Sequence, residues 1–382
     1  MRQFQKEQTM NANVSEFTPV PFKFAEEKHL AANRIYQGIP SITVTPAGRL
    51  FAVWYGGGAG EGPDNYIMIV ISDDGGKSWS RELYVVDPPQ ENIRAFDPSL
   101  FTAPDGTLHC FWSQCISSGI EDIFDGRNGV WHARCANPDG DPAQFLWSTP
   151  ERIGDGVMMN KAVVLSNGEW ALPVSVWHTR QGVKPLSAPG AKMYVSGDNG
   201  KTFHFRGGIE VPPEFATYDE HCIYELSDGR LGMFIRKTRG GYFESFSSDR
   251  GYTWSEVALS PLPGVSSRGF MGRLASGKLL AITNDAKSSR RNLTAFLSDD
   301  EGKSWNAKLH LDLRDMVSYP DAVQDKEGNI YIIYDRDRYG CGEILCSKIT
   351  EKDIEAGSLV SDESFAGAFV SRLFVTRKEL AI

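Results

Sequence analysis

Six residues, Ile39, Asp97, Met159, Glu220, Arg268 and Tyr319, each stand nine positions before a glycine that opens the same short phrase. The phrase is a turn glycine followed by an apolar run, as in Gly48-Arg49-Leu50-Phe51-Ala52-Val53, and it starts again at Gly106, Gly168, Gly229, Gly277 and Gly328. Equivalent positions of a repeat that faced only a packed core would be apolar. Here four of the six are ionisable. Carboxylates, a guanidinium and a phenol at one register supply groups for proton transfer and a planar grip for an anion.

The elements that must position these groups are hairpins. Each glycine sits in a turn tetrad, such as Ala103-Pro104-Asp105-Gly106 or Leu226-Ser227-Asp228-Gly229, with an apolar strand on either side. A second repeat, S-x-D-x-G-x-[ST]-aromatic, runs from Ser72 to Trp79, Ser196 to Phe203, Ser247 to Trp254 and Ser298 to Trp305. Its last three copies end at 203, 254 and 305, equal steps of 51 residues. A fixed period of this size marks one supersecondary unit repeated. Six units of about four strands predict an all-β chain, a six-bladed β-propeller of four-stranded antiparallel blades. Residues 1–20 read as a polar lead-in, and 21–382 as a single propeller domain. The run from Ala368 to Val375 is expected to complete a blade shared with the N-terminal segment, so that the ring closes without an edge.

In such a blade the first strand starts, and the antiparallel second strand ends, on one face. The six register positions therefore ring the mouth of the central funnel. The ends of the second strands bring Arg236, the loop Asn284 to Arg291 with Arg290, and the glycine-rich loop Gly56 to Asp64 to the same face. That loop lacks G-K-[ST] and is not a phosphate-binding loop. Its carboxylates, Glu61 and Asp64, overhang the funnel, as suits a mobile proton donor. The S-x-D-x-G-x-[ST]-aromatic boxes fall away from this face and read as structural: Ser, Thr and Asp bond a tight turn, and the aromatic packs between sheets.

Composition narrows the partners. A net charge of −9 over 382 residues argues against a general nucleic-acid or anionic-membrane binder. A local arginine cluster can still hold a small anion. The six cysteines show no C-x-x-C and no zinc-like pairing with histidine, so reduced thiols are expected and no metal centre. Met1 to Glu7 carries no apolar signal region, and no apolar run approaches the ~20 residues of a membrane span. The expected compartment is the cytoplasm, with no membrane partner.

The boxes together with these positions resemble the sialidase (neuraminidase) superfamily, six-bladed propellers with bacterial-neuraminidase or Asp-box repeats. Glu220-His221-Cys222 through Leu231, followed by Arg236, is similar to the family stretch with the catalytic glutamate and a substrate-binding arginine. Ser289-Arg290-Arg291-Asn292 is similar to the stretch with another such arginine, and Val317-Ser318-Tyr319-Pro320-Asp321 to the nucleophilic-tyrosine segment. The resemblance implies that arginines grip the carboxylate of a terminal anionic sugar. That carboxylate would repel an Asp or Glu nucleophile, whereas a tyrosine activated by a glutamate base is neutral as it approaches. It implies Tyr319 as nucleophile, Glu220 as its base, Glu61 or Asp64 as proton donor, and Arg236, Arg290, Asp97, Arg268 and Arg94 as substrate-binding groups. The family's Arg-Ile-Pro motif is matched here by Gly38-Ile39-Pro40, with glycine where the first arginine of a triad would stand. Arg34, Arg94 and Arg268 are the candidates to replace it. The implied activity is an exo-acting glycoside hydrolase acting on a small-molecule or glycan substrate without a cofactor. A related propeller glycosidase or lyase for another acidic or deoxy sugar, and a non-catalytic carbohydrate-binding propeller, are the alternatives.

Overall fold

All six turn glycines adopt the left-handed conformation, with φ between 83° and 92°. Each donates its N–H to the carbonyl three residues back, as Gly48 does to Thr45 and Gly328 to Asp325. These are β-turns closed by a glycine that a side chain would strain, and they join the first two strands of six hairpins. The computed structural model describes residues 16–89, 92–116, 123–179 and 183–374.

Blade one comprises β1 (Lys23–Phe24), β2 (Gln37–Val44), β3 (Leu50–Gly56), β4 (Tyr66–Ser72) and β5 (Tyr84–Val86); blade two β6 (Ile93–Thr102), β7 (Leu108–Ile116), β8 (Gly129–Cys135) and β9 (Glu151–Asp155). Blade three has β10 (Val163–Val164), β11 (Trp170–Val176), β12 (Gly190–Ser196) and β13 (His204–Ile209); blade four β14 (His221–Glu225), β15 (Leu231–Arg236), β16 (Tyr242–Ser247) and β17 (Ala258–Leu259). Blade five has β18 (Phe270–Arg273), β19 (Leu279–Asn284), β20 (Arg291–Ser298) and β21 (Ala307–Asp315); blade six β22 (Val317–Gln324), β23 (Ile330–Arg336), β24 (Glu343–Ile349) and β25 (Phe365–Arg372). The strands of each blade pair antiparallel in sequence order from axis to rim, except that β1 lies outermost in blade one. The expected six-bladed propeller is present. The middle strands are buried on both faces, as in β3 and β24, because each sheet is sandwiched between its neighbours.

The boxes join third and fourth strands. Ser72, Ser196, Ser247 and Ser298 each accept the N–H of the box glycine, and Asp74, Asp198, Asp249 and Asp300 each take both N–H and hydroxyl of the closing Ser or Thr. Their aromatics pack into the cores between blades. Arg49, beside the turn at Gly48, binds Asp73, so box and turn share the end of the blade remote from the funnel.

Ring closure differs from expectation. β25 is the outer strand of blade six, and the N-terminal β1 adds a fifth strand to the rim of blade one; among the described residues no sheet is shared between the two ends of the chain. Residues 1–15 of the lead-in and Val375 lie outside the described residues. The joint between blades one and six is made by buried carboxylates instead. A bulge in β2 between Gly38 and Ser41 frees backbone N–H groups from the ladder. Asp335 accepts that of Ile39 at 2.9 Å, while Asp321 accepts that of Ile42 at 2.9 Å and the Ser41 hydroxyl at 2.5 Å. Unmet backbone donors are costly in a dry interior, so these two aspartates do the work that an exchanged strand was expected to do.

Candidate active site

The funnel register is also a register of distorted backbone. Ile39, Asp97 and Tyr319 have φ of 57°, 48° and 54°, and a bulge interrupts the strand at each. Each is followed by proline: Pro40, Pro98 and Pro320. Proline has no N–H to give the neighbouring strand, so the ladder breaks there and the strand buckles. The buckle aims the preceding side chain at the axis. Non-glycine residues in left-handed conformation cost energy and persist only where their surroundings hold them.

These side chains line a cavity of about 200 Å³ at the expected face, together with Glu220, Arg236, Arg290, Arg94 and Glu61. A larger cavity of about 370 Å³ opens between inner strands on the other side of the register, but its wall is mainly aliphatic, with Val163, Ile223, Met271, Leu274, Ala322 and Ile330. Convergent ionisable groups place the candidate chemistry in the smaller one.

At its centre the Tyr319 hydroxyl lies 3.4 Å from Glu220 Oε1 and accepts from Arg236 Nη1 at 3.1 Å. The same Arg236 nitrogen donates to Glu220 Oε1 at 2.6 Å. Arg236 ends β15, directly beside Glu220, whose carbonyl accepts its backbone N–H. Strand pairing therefore fixes the arginine–glutamate pair, and Tyr319 reaches it across the axis from blade six. Three more guanidinium groups surround the phenol ring, with Cζ to ring centre 5.0 Å for Arg290, 4.6 Å for Arg338 and 5.5 Å for Arg268.

The predicted residues do not all converge. Arg268 turns away from the cavity and donates to the carbonyls of Met159, Pro40 and Tyr319 at 2.7–2.8 Å, tying three blades together beneath the site. Its guanidinium is consumed by backbone. Asp64 also turns out. Asn65 clasps the glycine-rich loop through Gly57, Gly60 and Gly62, and Asp64, with φ of 66°, lines a separate outer cavity beside Lys23 and Lys28. Glu61 stays at the mouth, accepting from Arg338 Nη1 at 3.0 Å and from the Tyr339 hydroxyl at 3.1 Å. Burial would raise its pKa, but Arg338 and Arg94 outweigh that and hold it below the usual carboxylate range.

Asp97 is the opposite case. Its carboxyl is buried, and its Oδ1 has no hydrogen-bond partner. Burial pushes its pKa up to about 8; Glu61 and Glu220 add to the shift and Arg94 and Arg268 oppose it. Asp97 is therefore neutral at pH 7 and presents a proton to the cavity. Arg94 stacks on Phe96 at 4.0 Å in the same wall.

Six lining residues escaped the sequence reading: Phe96, Ile123, Trp177, Tyr218, Arg338 and Tyr339. Tyr218 carries the Arg236 guanidinium over its ring at 5.0 Å. Trp177 and Arg338 follow second strands, nine and ten positions after Gly168 and Gly328. Counting forward from the turn glycines, as well as back, would have reached them.

The fold is shared with known enzymes. Over 85% of this chain and 68% of the other, the structure matches a Hadza microbial sialidase with a TM-score of 0.70 at 18% identity. A leech intramolecular trans-sialidase, solved with 2,7-anhydro-Neu5Ac, matches with a TM-score of 0.68 at 13% identity, covering 88% of this chain and 71% of its own. A protein of unknown function from Dyadobacter fermentans matches with a TM-score of 0.65 at 17% identity, covering 87% and 98%. No curated protein sequence matches. The model of the BNR repeat-like domain matches residues 48–332, well over half of the chain. With the repeats and the six blades in agreement, the chain belongs to the BNR repeat-like domain family.

Proposed function

We propose that the protein is an exo-acting glycoside hydrolase of sialidase type that cleaves a terminal anionic sugar through a tyrosine nucleophile. The observation that carries this reading is the Tyr319–Glu220–Arg236 cluster, a phenol 3.4 Å from a carboxylate and 3.1 Å from a guanidinium at the floor of an arginine-lined cavity. Glu220 takes the phenol proton as the oxygen attacks the anomeric carbon. The bond to the leaving group breaks, and a carboxylic acid protonates the departing oxygen. A water then hydrolyses the glycosyl–tyrosine intermediate, an aryl glycoside, in the second half of a retaining reaction.

Glu61 has the position for the proton donor, on a loop at the mouth. It is ionised in the free protein, paired with Arg338. A substrate carboxylate that takes over Arg338 leaves Glu61 without its cation, and a freed Glu61 gains a proton. Asp97, already neutral, donates a hydrogen bond to a sugar oxygen from the deeper wall. Arg236 and Arg290 hold the sugar's carboxylate.

A panel of aryl glycosides, with products identified by mass, tests this reading. Cleavage of the sialoside, with free or anhydro sugar distinguishing hydrolysis from internal transfer, supports it. Cleavage of another acidic glycoside alone assigns the site to a related glycosidase or lyase. Tyr319→Phe should then reduce turnover at least ~1000-fold with little change in melting temperature, and Glu220→Gln should act in the same direction. Survival of Tyr319→Phe activity within about tenfold, ~1.4 kcal/mol of barrier, removes the tyrosine from the chemistry.

A further inference from the structure

The chain lacks an arginine at position 38, yet the space beside Gly38 is not empty. A Cβ placed on Gly38 would lie 2.1 Å from Cδ and 2.5 Å from Cγ of Arg338. Neither distance is sterically possible, so residue 38 and Arg338 compete for one volume. We infer that Arg338, entering from blade six across Gly38, is the third guanidinium for the substrate carboxylate, and that glycine at 38 is the condition for its entry. This rests on the reading of the substrate as an anionic sugar.

Three observations place Arg338 in this role. Its stem is buried, and its guanidinium lies 4.6 Å over the Tyr319 ring, closer than those of Arg290 or Arg268. It is held from behind. Asp335, fully buried, lies 3.5 Å from its Nε and is itself fixed by Ser318 and by the N–H of Ile39. Its loop is tight: Asp337, with φ of 49°, accepts from Gly340, Gly342 and Cys341 and sets the direction in which residue 338 points. In front, Nη1 meets Glu61, a carboxylate on a loop at the cavity mouth. A buried fixed carboxylate behind and a loop-borne one in front describe a guanidinium anchored at one end and exchangeable at the other. An entering carboxylate replaces Glu61 with no net change in local charge.

Arg34 and Arg268 are committed elsewhere, and Arg94 stays in the cavity wall against an aromatic ring. Arg34 binds the His29 carbonyl, Gln37 and Glu82 in the joint between blades. Arg268 is spent on three carbonyls. Arg94 lies flat on Phe96.

The test compares binding of 2-deoxy-2,3-didehydro-N-acetylneuraminic acid with that of its uncharged methyl ester, by calorimetry. Wild type should prefer the acid. Arg338→Ala should weaken the acid roughly 10- to 100-fold, the span of one lost charge-assisted contact, and change the ester little. Gly38→Ala should weaken the acid in the same direction by displacing Arg338. The double variant Gly38→Arg with Arg338→Ala should recover a large part of the preference, because the vacated volume again holds a guanidinium. Arg338→Lys, which keeps the charge but loses the planar fork, should fall between and serves if Arg338→Ala does not fold. A wild-type preference for the acid that survives in Arg338→Ala or Arg338→Lys unchanged overturns the assignment and leaves the anionic-sugar reading standing. Wild type that binds neither compound, or both equally, overturns the two together.

Discussion

Tyr319 and Glu220 were legible because a repeat carries register: two side chains nine residues before equivalent turns must meet at the axis. Arg338 was less so: it lies ten positions after Gly328, past the end of β23, where a forward count marks the position but not the direction its side chain takes. Its entry turns on the missing side chain of Gly38, and glycine signals what it permits only when its neighbour is seen. The protonation of Asp97 was equally hidden, since it follows from burial beside two other carboxylates, Glu61 and Glu220, set against Arg94 and Arg268. That arrangement has a pH signature. Asp97 is neutral below about 8 and gains a negative charge as pH rises through that value. A second or third negative charge in the cavity opposes an anionic ligand, so affinity for an anionic inhibitor should fall as pH rises above 8, by at most about tenfold per pH unit. Asp97→Asn, neutral at all pH, should flatten that limb of the profile. An unchanged limb in the variant would assign the titration to another group.

At the scale of the element, each device does one job at one end of a blade. The prolines at 40, 98 and 320 break the inner ladder at the funnel, and the breaks place the functional side chains. Those dipeptides, Ile-Pro, Asp-Pro and Tyr-Pro, were visible in the sequence, but a proline reads equally as an edge or a turn until its partner strand is known. The boxes were legible to the hydrogen bond, because Ser, Asp, Gly and Thr at fixed spacing encode purely local contacts. Their distance from the funnel makes a clean prediction. Trp254 is partly buried between blades three and four and donates to the Gly251 carbonyl. Trp254→Ala should cost about 2–3 kcal/mol in denaturant unfolding, below the range for a fully buried tryptophan. The kcat of the folded fraction should stay within about twofold. A large loss of kcat without loss of stability would put the box in the catalytic machinery.

At the scale of the whole molecule the question is what keeps a ring of six sheets from opening. A strand exchanged between the termini would lace the first blade to the last, and the C-terminal run was expected to supply it; among the described residues each blade instead keeps its strands to itself. The burden falls on polar groups at the axis. Asp321 of blade six accepts from Ser41 and Ile42 of blade one and pairs at 2.7 Å with Lys161 of the blade-three entrance, whose ammonium also donates to the carbonyls of Ile42 and Leu100. One part-buried cation and one buried carboxylate thus join blades one, two, three and six. Breaking such a pair from one side leaves the other charge stranded, which costs about 3–5 kcal/mol, whereas replacing both charges with neutral groups of similar volume costs far less. Asp321→Ala should therefore lower the melting temperature by about 4–6 °C. Asp321→Asn combined with Lys161→Met should regain most of that loss. Hydrogen exchange gives the location: in Asp321→Ala the amides of Ile42 and its neighbours in β2 and β22 should open before those of blades four and five. Uniform acceleration around the ring would mean that closure is shared by all six interfaces and does not depend on the axial pair.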